Sequence, residues 1–224
     1  MGTQMESVKF DLAVGPRKLP GMLTVPKNAQ GLVLFAHGSG SSRLSPRNQF
    51  VAQVLQASGL ATLLFDLLEE WEGDDRQKVF DIELLAERLG EAADWVRGRD
   101  DIGELRLGLF GASTGAAAAL VAAARRSERV GAIVSRGGRP DLAQAYLGLV
   151  KAPTLLIVGG NDEPVIEMNQ RALDLLRCEK QLEIVAGATH LFSESGALEQ
   201  VARLASDWFR RHLIEQKGKD KQTS

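Results

Sequence analysis

One cysteine, one tyrosine and three histidines in 224 residues leave this chain few ways of doing chemistry, and each scarcity excludes something. A single thiol, Cys178, allows no intramolecular disulfide and is expected to be an inert structural group late in a helical pattern. His37, His190 and His212 are scattered and, with the one cysteine, offer no metal-ligand spacing, so no metal is expected. No apolar run approaches the roughly 18 residues that a membrane span needs, and the N-terminus has neither the basic start nor the apolar core of a secretion signal. The formal net charge is -2 with both signs mixed throughout, so no basic face invites nucleic acid. The expected location is the cytoplasm and the expected partner a small-molecule substrate; oligomeric state is left open.

What is present is ordinary globular material, 44% hydrophobic and 25% charged, enough for a sizeable core. No linker-like break divides the chain, so residues 1–224 are expected to form one domain, with disorder confined to residues 1–7 and 217–224. Short aliphatic runs alternate with amphipathic stretches, the pattern of a mostly parallel sheet covered by helices on both faces. Strands are expected at residues 8–14, 22–25, 32–36, 61–65, 106–110, 131–134, 154–158 and 182–185. The first two are joined by "GPRKLPG", too short for a helix, and should pair antiparallel at an edge. Helices are expected from Pro46, capped by Ser45 and stopped at Gly59, over 81–96, in "GAAAALVAAARR", over 141–149 and over 198–213.

The chemistry starts at "GASTG". A serine between two glycines is weak evidence alone, but here it falls between the strand 106–110 and the alanine-rich helix, and that placement is the context of a nucleophile elbow. A sharp turn would project the Ser113 hydroxyl clear of the sheet, while side chains at Gly111 and Gly115 would clash where strand and helix run close.

A serine hydroxyl needs a base. His212, among Arg210 and Arg211 near the chain's end, suits a cation at a helix terminus, and His37 in "HGSGSS" precedes the serine and more naturally orders its own loop. His190, in "AGATHLF" after the last strand, is the candidate. Asp162, in "GGNDEPV" after the preceding strand, is the candidate carboxylate to hold the imidazole, with Asp66, Asp141 and Glu163 as alternatives. The order Ser113, Asp162, His190 is that of α/β-hydrolases, and all three should lie on one rim of the sheet. The backbone N–H groups of Thr114 and Ser39 are the candidate oxyanion hole.

At these residues the sequence resembles the α/β-hydrolase superfamily, and its small frame resembles the dienelactone hydrolase-like branch, over nearly the whole chain. The resemblance implies ester, lactone or thioester hydrolysis through an acyl-enzyme, without a cofactor. Dienelactone hydrolases proper carry cysteine at the elbow, where this chain has Ser113. Only 19 residues, 135–153, stand where larger members insert a cap, so no cap domain is expected. Arg43 and Arg47, beside the presumed oxyanion hole, are either contacts for an anionic substrate or partners of Glu69, Glu70 or Glu72 in "LLEEWEGDD". The alternatives to an enzyme are a non-catalytic protein of the same fold and, for the glycine-rich "HGSGSS", a phosphate binder that lacks the lysine ending of a P-loop.

Overall fold

The antiparallel hairpin expected at the start of the chain forms one edge of a sheet of eight strands. In a computed structural model, which describes residues 7–215, β1 (Ser7–Val14) pairs with β2 (Leu19–Pro26), from Ser7 opposite Pro26 to Val14 opposite Leu19. The chain continues through β3 (Gly31–Ala36), α1 (Pro46–Ala57), β4 (Leu60–Phe65), the single turns α2 (Glu70–Gly73) and α3 (Arg76–Val79), and α4 (Ile82–Arg97). Then come β5 (Arg106–Ala112), α5 (Thr114–Arg125), β6 (Val130–Arg136), a 3₁₀ turn (Pro140–Ala143) and α6 (Gln144–Leu147). The last elements are β7 (Thr154–Gly159), α7 (Glu163–Leu175), β8 (Lys180–Val185) and α8 (Ala197–Phe209), which ends in a π-helical turn, Arg210–Ile214.

The strand order is β1-β2-β4-β3-β5-β6-β7-β8, antiparallel only where β2 meets β1 and β4. The central strands β3 to β7 are buried almost throughout, which is why they read as continuous apolar runs; a sheet covered on both faces has no water-facing side to alternate toward. One face packs on α4, α5 and the inner side of α7, through Leu34, Leu89, Leu120 and Leu156. The other packs on α1 and α8, through Phe35, Val51, Phe110 and Phe209. Glycine positions let helices come near: a Cβ at Gly108 would lie 2.7 Å from the Phe209 ring, and α5 presents little but methyl groups to the sheet.

Several boundaries differ from expectation. β2 starts at Leu19 and β8 at Lys180, because pairing with the neighbouring strand extends them past their apolar residues. The helix expected over 141–149 is a 3₁₀ turn followed by α6, and the two turns α2 and α3 lie in a stretch too polar to show a period. α7 stops at Leu175, so Cys178 sits in a bend and not in a helix; burial pushes its thiol up, and its Sγ lies 3.7 Å from Thr154 Oγ1. Ser7 opens β1, contrary to the expected disorder; the rest of the two tails lies outside the described residues. No described helix is long and apolar enough to cross a membrane.

Candidate active site

Ser113 occupies the turn between β5 and α5 with φ 52° and ψ -120°. Residues with a Cβ pay roughly 1–3 kcal/mol for such a conformation, so the surroundings must impose it. They do so through three backbone bonds: the Ser113 N–H donates to the Arg136 carbonyl (3.2 Å), and its own carbonyl accepts from the N–H groups of Ala116 (3.1 Å) and Arg139 (3.1 Å). The flanking glycines are a steric requirement. A Cβ on Gly111 would stand 2.4 Å from Ala116 Cα, and one on Gly115 would stand 2.2 Å from the Ala36 carbonyl oxygen and 2.5 Å from that of His37. Both oxygens belong to backbone at the end of a central strand and cannot swing aside. Gly115→Ala is therefore expected to cost about 3 kcal/mol of stability, read as a lowered urea midpoint; an unchanged midpoint would mean the elbow has slack that these distances deny.

Asp162 and His190 come together because β7 and β8 are parallel neighbours. Gly159 ends β7 where a Cβ would meet the Ala188 carbonyl at 2.4 Å, so the loop after β8 can close over it. The Asn161 N–H donates to the Ala188 carbonyl (2.9 Å) and the Asn161 side-chain amide to that of Gly187 (2.9 Å). Across this seam His190 Nδ1 donates to Asp162 Oδ2 at 2.7 Å, with the carboxylate only 14% exposed and the imidazole 38%. Nε2 is then the basic nitrogen. The His190 loop is anchored by buried Phe192, in left-handed conformation, and by Glu194, which accepts from the Thr189 N–H (3.1 Å) and hydroxyl (2.6 Å). The Thr189 hydroxyl, first among these contacts, holds the Glu194 carboxyl below its usual range. The ring also packs within 3.4 Å of where a Cβ on Gly137 would be. Gly137 directly follows Arg136, whose carbonyl holds the elbow, so one short segment after β6 touches both Ser113 and His190.

On the other side of the elbow lies the loop after β3. His37 Nε2 accepts from the Leu67 N–H (3.0 Å) and Nδ1–H donates to the Gly38 carbonyl (3.0 Å), so the ring is a neutral brace between the β3 and β4 loops. Burial keeps its basicity below the usual imidazole range, against the pull of the Gly38 carbonyl and of Asp66. The Ser39 N–H donates to Thr114 Oγ1 at 3.0 Å, which joins the two residues expected to form an oxyanion hole. A cleft of about 500 Å³ opens beside this loop, bordered by Ser39, Arg43, Asp66, Glu69 and Glu70.

The cations and carboxylates pair differently from the sequence-based expectation. Arg43 is held by Asp66, through its N–H (2.7 Å) and its guanidinium, and not by Glu69, Glu70 or Glu72. Asp66 is thereby removed as an alternative to Asp162, as is Asp141, which takes a two-point bond from Arg139 at 2.9 and 2.8 Å. Glu163 opens α7 as an exposed residue. Glu72 is buried against Arg88 (3.0 Å) and Lys78 (3.3 Å); burial opposes its ionisation, but the Glu69 N–H, Lys78 and Arg88 together hold the carboxyl below its usual range. Glu69 instead accepts from the Trp71 indole N–H at 2.7 Å. His212 is a buried ring against Trp208, 3.5 Å from Glu179, and burial lowers its basicity; the expected helix-end cation is a neutral core residue at the opposite end of the strands from Ser113.

Arg47 and Arg136 stand apart. Arg136 ends β6, 8% exposed, and its Nε and Nη1 are buried with no hydrogen-bond partner among the described residues. Arg47, in the first turn of α1, is half-buried and its Nε is likewise unpartnered. Burial and the neighbouring Arg47 charge hold Arg136 down to about 10. An unpaired ion taken out of water costs several kcal/mol, and a like charge beside it adds to that cost. Arg136 was not singled out in the sequence, where it reads as the end of an apolar strand; the available signal was an arginine at the carboxyl end of a buried parallel strand, where α/β sheets bind ligands.

With this geometry in hand, comparison with known proteins gives a consistent picture. The model of the dienelactone hydrolase family matches residues 47–213. A crystal structure of dienelactone hydrolase from Anabaena variabilis is 57% identical, with a TM-score of 0.89, and the match covers 94% of this chain and all of that one. Est1E from Butyrivibrio proteoclasticus shares the fold, with a TM-score of 0.78 at 15% identity over 92% of this chain and 99% of its own. Two curated Mycobacterium tuberculosis proteins, each named "Putative phosphoribosyl transferase", are 58% identical over 205 residues, 92% of this chain. The chain spans only 46% of their length.

Proposed function

The chain belongs to the dienelactone hydrolase family, and on that premise we propose that it is a serine hydrolase acting on a small ester, lactone or thioester through an acyl-enzyme. The observation that carries the reading is the 2.7 Å bond from His190 Nδ1 to Asp162 on the same rim as the strained elbow of Ser113. Ser113 Oγ attacks the acyl carbonyl carbon as its proton passes to His190 Nε2, and the carbonyl electron pair moves onto oxygen. Asp162 keeps the Nδ1–H tautomer and stabilises the imidazolium. The oxyanion is met by the Thr114 N–H, in the free first turn of α5, and by the Ser39 N–H, which turns to it from Thr114 Oγ1. The imidazolium then protonates the departing alkoxide or thiolate, and water repeats the sequence on the acyl-enzyme.

The transferase name of the mycobacterial relatives draws on proteins more than twice as long as the shared stretch, whereas the hydrolase reading draws on the shared stretch itself. A fluorophosphonate probe tests it: the wild type should be labelled on Ser113 and Ser113→Ala should not. Labelling that persists in the variant moves the nucleophile elsewhere, and an unlabelled wild type leaves a fold used for binding alone.

A further inference from the structure

β1 is a free edge of the sheet, and it lacks the devices that usually close one. Its eight residues hold no proline, its register with β2 runs without a shift, and Val8 and Phe10 stand 56% and 42% exposed. In an antiparallel strand the N–H and C=O of one residue point the same way and those of the next residue the opposite way. The Pro20 carbonyl accepts the Asp66 N–H at 3.0 Å, so the polar groups of Pro20 face β4, and Ala13, opposite Pro20, has its own turned to the free edge. By alternation Ser7, Lys9 and Asp11 also turn outward, whereas Val8, Phe10 and Leu12 bond to β2. The prolines fit this phase, since Pro26 stands opposite Ser7 and, like Pro20, has no N–H to give β1.

A second copy laid antiparallel on this edge must set outward-facing residues against each other, and symmetry then puts the twofold axis through a residue that faces itself. Near the middle of the strand that residue is Lys9, Phe10 or Asp11; further out, fewer pairs form. With the axis at Lys9 two ammonium groups meet, and with it at Asp11 two carboxylates meet. With the axis at Phe10, Lys9 of each copy stands opposite Asp11 of the partner subunit and exchanges both backbone bonds with it, while Ser7 meets Ala13 and Val8 meets Leu12. Cross-strand pairs of opposite charge stabilise and like charges destabilise, so the strand is complementary to itself in this one register. Phe10 lies on the same sheet face as Leu23 opposite it, a core residue of the α4 side, and Leu12 packs on that core, so an apolar strip runs unbroken across the axis.

We propose that β1 is an interface and that its partner is β1 of a second copy of this chain, antiparallel about a twofold axis at Phe10, so that one sheet runs through both protomers. The contact is narrow, which makes the dimer weak, with a dissociation constant in the micromolar range. β2, β4 and β3 separate β1 from the strand that leads to Ser113, so both rims stay open to substrate. The inference stands independently of the serine hydrolase reading.

Sedimentation velocity of the wild type from about 1 to about 200 µM should show a monomer passing into a dimer as concentration rises. Asp11→Lys, on an exposed residue, sets lysine against lysine in both pairs and should raise the dissociation constant about tenfold or more with the melting temperature little changed. Lys9→Asp combined with Asp11→Lys restores opposite charges across the axis and should restore the dimer. The register is read separately by cross-linking in a Cys178→Ser background. Phe10→Cys places two thiols face to face in a non-hydrogen-bonded pair, with Cα atoms roughly 4.5 Å apart, and should join the protomers by a disulfide when treated with diamide, whereas Val8→Cys should not. A monomer at every concentration, or a dimer that Asp11→Lys leaves intact, overturns the interface. Val8→Cys cross-linking as readily as Phe10→Cys overturns the axis at Phe10.

Discussion

Ser113→Ala is expected to lower kcat by about 10⁴–10⁶-fold on any ester the wild type hydrolyses, with the fold intact. The Cβ that the strained turn must accommodate is retained, and no side-chain hydrogen bond caps α5 from this position, so the variant loses the nucleophile and little else. His190→Ala should cost nearly as much, since an alkoxide cannot form near neutral pH without a base. The double variant should be scarcely worse than either single one, because the groups act in one proton transfer and the second deletion removes something already idle. Losses that multiply instead would show that the two residues work in separate steps. The remaining activity should come from the N–H groups of Thr114 and Ser39 and from substrate binding.

Asp162→Asn should lower kcat by about 10⁴-fold while the unfolding midpoint stays close to that of the wild type. A carboxylate can only accept from His190 Nδ1–H, at 2.7 Å, which leaves Nε2 as the base. An amide can donate to Nδ1 and so stabilise the other tautomer, with the proton on the nitrogen that has to receive one. Asp66 is engaged by Arg43 and Asp141 by Arg139, and Glu163 is an exposed residue at the start of α7, whereas the bond to His190 Nδ1 comes from Asp162. Near wild-type activity in Asp162→Asn would mean that His190 is oriented by something else.

The elbow and its partners were legible because they depend on local rules. A strand, a turn with glycine two residues on either side of serine, and an alanine-rich helix follow one another in the sequence as they do in space. Asp162 and His190 were legible because each lies in the loop after one of two parallel neighbours, the buried β7 and the largely exposed edge strand β8, and parallel strands deliver their following residues to a single rim. The strand ends of β2 and β8 were less so, since pairing with a neighbour continues past the last apolar side chain.

What the sequence by itself determined is the eight-stranded mostly parallel frame, the turn that holds Ser113 and the order in which Ser113, Asp162 and His190 follow their strands, set by periodicity and by the steric demands of glycine. What only the tertiary structure decided is which charges meet. Arg43 finds Asp66 because β4 is inserted beside β3, and Glu72 finds Arg88 under α4, contacts over 23 and 16 residues of sequence that no local pattern announces. For the same reason the sequence could not show that the Arg47 charge acts on buried Arg136, which stands 89 residues further along the chain. Electrostatic energy depends on distance and burial, and both are properties of the folded chain.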